Sequence, residues 1–439
     1  MGYQKMNNSN RAVFQLIAIS IFIFSTSIRA QNVTDMQDKR PDQIFSENIK
    51  TVQINREGVE LGDPVLVLNE DIPLVCTFDD LSADYLDYKF TLIHCDPEWN
   101  PTEGLTKEDY LESFYFEDYV RDYEPSYNTT TPFVHYSFKF PNENIRPVLS
   151  GNYLLVVYED TPEEPAFTRG IFVTEQLTGI EGRVAKSANP AVRPEVQQLF
   201  FTVSMDRIYL DDPYRNLKVI VSQHGRWDNE ITDLTPTMIT NNKLHFEQEG
   251  MVVFKGNNEF RFLDLKSLRY LAPKVSEISV ADGRYEAFIT DRKPARFLAY
   301  QYREDINGKY LIHTEDGRDA GTEADYVNVK LFLPYDRPIA GGKLYVTGDF
   351  CNWKYLEENR AIYSPGKGGY FADLFLKQGY YNYTWAVVEL GNLPADAAFI
   401  DGTFSDVQNL YTIRVYYRNP GDYHYRLIGR QVLNSSEYF

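Results

Sequence analysis

Apolar and polar positions alternate with a period of two along most of this chain. The run Tyr326-Val327-Asn328-Val329-Lys330-Leu331-Phe332-Leu333 shows the alternation most plainly. Shorter runs rich in β-branched and aromatic residues occur at 64–68, 89–94, 134–140, 153–158, 198–205, 217–223, 243–246, 284–290 and 310–313, each bounded by Asp, Asn, Gly or Pro. Side chains two residues apart share one face of a strand, so these runs predict strands that each turn one face to a core. Leu149-Ser150-Gly151-Asn152, Asp282-Gly283 and Asp316-Gly317 read as turns. The first third holds a single helical candidate, Thr106 to Phe116, with a threonine cap and acids in its first turn.

The pattern breaks at two places, near 175–182 and across the polar, glycine-bearing stretch 315–324. These breaks predict an all-β chain of three consecutive antiparallel β-sandwich (immunoglobulin-like) domains at 45–175, 176–324 and 325–439, which suits 439 residues. Ahead of them, residues 1–30 read as a signal peptide: Lys5 and Arg11, an apolar stretch from Ala12 to Phe24, then small residues, with cleavage after Ala30 or Ser27. Residues 31–44 read as a flexible N-terminus. No cysteine follows either cleavage point, which argues against a lipid anchor. No later stretch reaches the ~18 apolar residues of a membrane helix. The residues before Phe439, namely Gln431, Leu433, Ser435 and Glu437, lack the lipid-facing alternation of a barrel's last strand. An exported, soluble protein without direct membrane insertion is expected.

Composition narrows the partners. The formal charge is −19, and loss of Lys5, Arg11 and Arg29 with the signal makes it more negative. Such a surface repels nucleic acid and anionic lipid. It suits a basic protein surface, or serves solubility alone. Cys76, Cys95 and Cys351 are too few for a disulfide framework; Cys76 and Cys95 could pair across neighbouring strands or stay as buried thiols. The 33 Tyr and 28 Phe supply the apolar burial that stability then needs.

Little of this sequence points to catalysis. His94 and Cys95 face opposite sides of a strand and cannot form a nucleophile–base pair, while His94 and Asp96 alone fall short of a metal site. A structural role fits them, Cys95 in the core with His94 and Asp96 fixing a loop. No nucleophile elbow, phosphate loop, Cys-x-x-Cys or dinucleotide fingerprint occurs, so no enzyme, metal or cofactor is expected. Two aromatic groups remain. The long acidic stretch from Asp96 to Tyr123 carries Trp99, Tyr110, Phe114, Tyr115 and Tyr119, suited to partner binding or to sealing a sandwich end. Trp353, Tyr363, Tyr380 and Trp385 would stack sugar rings if exposed, or pack a core if not.

Two resemblances give these readings direction. The ordered set Phe78-Asp79-Asp80-Leu81, Tyr88 to Asp96 with Trp99, Glu108 to Leu111, Ser126 to Thr130, His135-Tyr136, Phe140 to Glu143 and Leu149 to Tyr158, extended by Thr168-Arg169 and Phe172-Val173, resembles the N-terminal domain of the type IX secretion system plug proteins of the Bacteroidetes. It departs at Phe133-Val134 and at Gly170, where a second Arg is more usual. The resemblance implies a noncatalytic periplasmic protein, peripheral to the outer membrane, that binds the periplasmic mouth of that system's large outer-membrane translocon barrel and closes the idle pore. Gly348-Asp349-Phe350-Cys351-Asn352-Trp353, the Gly369 strand and Gly379-Tyr380-Tyr381-Asn382-Tyr383 resemble early-set domains related to glycogen-binding modules, with Cys351 intruding in the motif. That implies an alternative, a periplasmic glycan-binding protein acting through its C-terminal domain.

Overall fold

The structure is a computed structural model describing residues 37, 39–389 and 392–438. The expected signal peptide and both cleavage points lie outside the described residues. Nearly everything described is strand or connection between strands, in an all-β sandwich architecture.

The first unit packs two sheets face to face. One contains Ile49–Arg56, Leu74–Asp80, Val134–Phe140 and Asp122–Pro125; the other contains Pro165–Thr174, Gly151–Tyr158, Lys89–Cys95 and Asp118–Tyr119. Alternation decides what meets between them: Leu74, Cys76 and Phe78 point inward from one strand, and Tyr153, Leu155 and Val157 from another. Aromatic rings dominate, with Phe78 stacked on Tyr136 at 4.9 Å and Phe90 on Phe138 at 4.4 Å. Such pairs contribute roughly 0.5–1.5 kcal/mol beyond their burial. Cys76 and Cys95 lie in opposite sheets and are free thiols. The predicted helix shortens to Lys107–Tyr110, where the Thr106 N–H donates to Asp109 at 2.7 Å. The chain then turns into the strand Leu111–Ser113, because Ile145–Pro147 offers it a pairing edge.

The remaining strands pair differently from the expected division at 324. Leu410–Tyr417 and Arg426–Asn434 do not join the sheet of Tyr326–Pro334; they pair in series with Leu217–Gln223, opposite the sheet built on Gly179–Lys186, Val196–Ser204 and Lys243–Phe246. Tyr411, Ile413, Val415 and Tyr417 thereby share a core with Leu199, Phe201, Val219 and Leu244. In the other direction, Arg261–Asp264 and Tyr310–Ile312 pair with Gly379–Glu389, and Arg284–Thr290 runs parallel to Tyr326–Pro334. The third core, around Trp385, Tyr383, Leu331 and Val346, is thus built from residues 261–400 and inserted between two halves of the second. Period-two patterning marks a strand without naming its neighbour, so a nested order reads in sequence like a consecutive one.

The first two sandwiches share a sheet. Arg426–Asn434 meets Pro165–Thr174 in parallel at Thr174 and Leu427, joining the strands of both into one nine-stranded sheet. The stretch before residue 45 is not a loose end where it is described. Gln43–Ile44 pairs with Phe167–Thr168, Thr168 Oγ1 donates to the Pro41 carbonyl at 2.6 Å, and Gly170 N–H donates to Asp42 at 3.1 Å.

Candidate functional site

The acidic, aromatic stretch divides between surface and interior. Ser113 Oγ donates to the Asn144 carbonyl at 2.6 Å and accepts from the Phe116 N–H at 2.9 Å, closing a tight turn. Phe116 adopts a left-handed φ of 58° and tucks its ring against the core. Asp118, buried, accepts from Asn142 at 2.9 Å and Asn144 at 3.2 Å and pairs with Arg121 at 2.9 Å, which ties down the other side. Between these anchors Phe114 and Tyr115 stand out, 83% and 76% exposed, their rings edge to face at 4.7 Å. Tyr119, 48% exposed, lies beside them in sequence with Lys89 over its ring at 5.2 Å. Glu112, Asp122 and Glu124 are exposed nearby in the chain. Exposed apolar rings thus stand on a braced turn among acidic side chains.

Tyr110 and Trp99 do not belong to that surface. Tyr110 is buried, packed near His94 and Tyr153. Trp99, with φ 71°, lies edge to face with Phe172 at 5.3 Å and directly over Gly170. A Cβ on Gly170 would stand 2.6 Å from the indole, so the missing second arginine has a steric reason. His94 and Asp96 fix the local loop: the imidazole bonds Thr102 Oγ1 at 2.8 Å and the Ser150 carbonyl at 3.1 Å, while Asp96 accepts from the Glu98 and Asn100 N–H groups, each at 2.9 Å. Burial pulls the His94 pKa down to about 4.

The candidate sugar-binding residues do not form an exposed platform. Trp385 is fully buried and donates to Asp291 at 2.8 Å, a carboxylate that also pairs with the buried Arg261 at 2.7 Å. Trp353 is 3% exposed, packed on Gly308 and Phe260. Tyr363 and Tyr380 are half-buried on different strands. With both indoles sealed, the constellation that stacks a sugar ring is missing, because stacking needs an open ring face.

Sequence reasoning missed a second locus, the junction where the three cores meet. Asp63, on the loop after Ile49–Arg56, accepts from Lys309 at 2.7 Å and from Arg430, one cation from each of the other cores. Burial works against its charge, yet the two cations hold its pKa below the usual carboxylate value. Glu230 likewise joins Arg40 at 3.5 Å and Arg414. On the far side, buried Asp79 accepts from Lys377 at 2.6 Å, Tyr326 at 2.7 Å and His135 at 2.6 Å, and Asp325 accepts from the Thr131 N–H at 3.1 Å. A cavity of about 230 Å³ remains inside the junction, lined from all three cores. Lysines and arginines hundreds of residues from their partners carry no local signature, so only the fold could disclose it. Among the described residues, no three His, Cys, Asp or Glu side chains are placed to hold a metal ion, and no helix is long and apolar enough to cross a membrane.

Comparison with known proteins defines the class. Residues 49–175 match the model of the type 9 secretion system plug protein 1st domain. The crystal structure of a hypothetical protein from Parabacteroides merdae is 31% identical, covering 90% of this chain and 98% of that one, with a TM-score of 0.85. The chain belongs to the type IX secretion system plug family. Its place is therefore among the components of type IX secretion. Dimeric latent PorU from Porphyromonas gingivalis aligns over 88% of this chain and 34% of its own at 10% identity and a TM-score of 0.13, too low to carry an argument. No curated protein matches.

Proposed function

We propose that this protein is a noncatalytic periplasmic plug that docks on the periplasmic mouth of the type IX outer-membrane translocon barrel and closes the pore when no substrate occupies it. The observation that carries this reading is the anchored aromatic tip at Phe114 and Tyr115, which lies inside the family-matched domain. Exposed aromatics on a braced turn cost little entropy to bury, and central aromatic anchors dominate protein interfaces. The surrounding acids favour a partner face carrying Lys or Arg. Contacts bracing the three cores support the same reading, since a plug must resist deformation in a pore.

The test uses the tagged full chain, purified from gently solubilised envelopes. Wild type should bring one very large outer-membrane barrel in near-stoichiometric amount, and Phe114→Ser with Tyr115→Ser should lose most of it while remaining folded. Strains lacking the protein should leak large hydrophilic probes only when the barrel is present. Equal leakage without the barrel, or undiminished recovery by the double variant, would count against the respective half of the reading.

A further inference from the structure

The junction cavity contains polar groups that the protein leaves unsatisfied, and they are of two kinds. His224 is the first. Asn409 donates its amide hydrogens to Gln197 Oε1 and the Gly256 carbonyl, both at 3.0 Å, so its oxygen must accept from His224 Nε2 at 2.7 Å. The proton of the neutral ring is thereby placed on Nε2, and Nδ1 is a bare acceptor with no partner among the described residues. Burial keeps the ring neutral, drawing its pKa down to about 4. Asn307 Oδ1 is a second buried acceptor without a donor among those residues. Asp349, whose N–H is bound to the Gly308 carbonyl beside Asn307 at 2.9 Å, supplies a carboxylate that makes no ion pair among the described residues. Burial lifts its pKa to about 6.

The second kind is cationic. Arg169 is almost wholly buried; its guanidinium donates to the carbonyls of Thr168 at 2.9 Å and Gln43 at 3.4 Å and lies over the Phe167 ring at 5.7 Å, with no carboxylate partner among the described residues. The other charged groups named around the cavity have partners: Lys309 and Arg430 share Asp63, Arg40 and Arg414 share Glu230, Lys354 donates to the Gln43 amide oxygen, and Asp42 accepts from the Gly170 N–H. Asp349 and Arg169 thus line a shared space with no ion pair between them. Water would solvate both and neutralise neither. A simple cation would leave Arg169 without a carboxylate, and a simple anion would leave Asp349 without a cation, each at low dielectric. An ammonium carries three donors and no acceptor, the complement of Asp349, His224 Nδ1 and Asn307 Oδ1; a carboxylate is the complement of a guanidinium. The volume is below the ~300–1,000 Å³ of drug-sized sites, and sites between domains are common.

We propose that the junction cavity binds a small zwitterion the size of a free α-amino acid, its ammonium held by Asp349, His224 and Asn307 and its carboxylate by Arg169. Three tryptophans, Trp99, Trp227 and Trp353, line the cavity and provide an optical readout. The experiment titrates the purified full chain with the free α-amino acids, following tryptophan fluorescence and heat, with ethylamine and propionate as half-ligands. Saturable one-to-one binding of at least one amino acid is expected, with each half-ligand weaker by about tenfold or more, as loss of a charged hydrogen-bonding partner implies. Asp349→Asn and Arg169→Gln should each weaken binding by a similar factor. Asp349 has no ion-pair partner to lose among the described residues, so its variant remains informative if the arginine variant fails to fold. Absence of saturable binding across the whole panel, or equal affinity in Asp349→Asn, overturns the proposal. Neither outcome touches the plug reading, which rests on a different surface.

Discussion

Asp79 illustrates how much one buried carboxylate can hold together. It sits on a strand of the first core, and its lysine and tyrosine partners sit on strands of the inserted core. Burial alone would raise its pKa, but Lys377 and His135 reverse this and hold the group below the ordinary value. Removing one partner of such a pair is costly because the survivor stays buried. Lys377→Met should therefore lower stability by about 3–5 kcal/mol in chemical denaturation, and combining it with Asp79→Asn should recover part of that loss. His94 gives a pH prediction. Its pKa of about 4 lies below the 6.5 of an unfolded chain, so the unfolded state binds more protons between those values. Stability should be flat in this group above about pH 6.5 and fall by about 3 kcal/mol as the pH drops to about 4. Replacing His94 with Gln should remove that slope; an unchanged slope would assign it to other groups.

At the scale of elements, the seam of the insertion is the most constrained point. The chain leaves the second core at Gly256 and returns at Phe404 and Ser405, and a Cβ on Gly256 would lie 1.8 Å from the Phe404 carbonyl oxygen. Backbone cannot yield as a side chain tip can. Gly256→Ala should cost more than about 3 kcal/mol, whereas Gly366→Ala, with nothing near its Cβ, should stay within about 0.5 kcal/mol. Legibility also divides by element. The strands at 89–95, 134–140, 217–223 and 326–334 were readable, because alternation of apolar and polar residues is local. The partner of Leu410–Tyr417 was not, since Leu217–Gln223 and Gly369–Lys377 offer it similar apolar faces. Exposure was the other limit. Phe114 and Tyr110 look alike in sequence, and only the turn closed by Ser113 puts one outside and the other in the core. The junction cavity was illegible because its residues come from segments that lie far apart along the chain, as Asp63 and Arg430 do.

Across the whole molecule, charged contacts tie the first core to each of the other two: Lys377 to Asp79, Lys309 and Arg430 to Asp63, Arg426 to Glu175 at 2.5 Å. Such pairs couple the stability of one core to that of its neighbours. Thermal unfolding of the full chain should accordingly follow a single calorimetric transition, and Asp63→Asn together with Lys377→Met should resolve it into at least two. Two transitions in the wild type would show the cores to be independent.

The nested order of the chain sets a timetable. A ribosome releases residues 179–255 long before Leu410–Tyr417 and Arg426–Asn434, so the second sandwich waits with one of its layers incomplete while the inserted core is made. During that wait Leu199, Phe201 and Val203 lack most of their opposing layer, and Thr174 lacks Leu427 beside it. Closure comes from residues 410–434, which complete one core and weld it to another in the same step. A chain cut short between residues 401 and 410 would lose far more than its tail: it would keep two finished bodies and an apolar sheet between them with little to cover it.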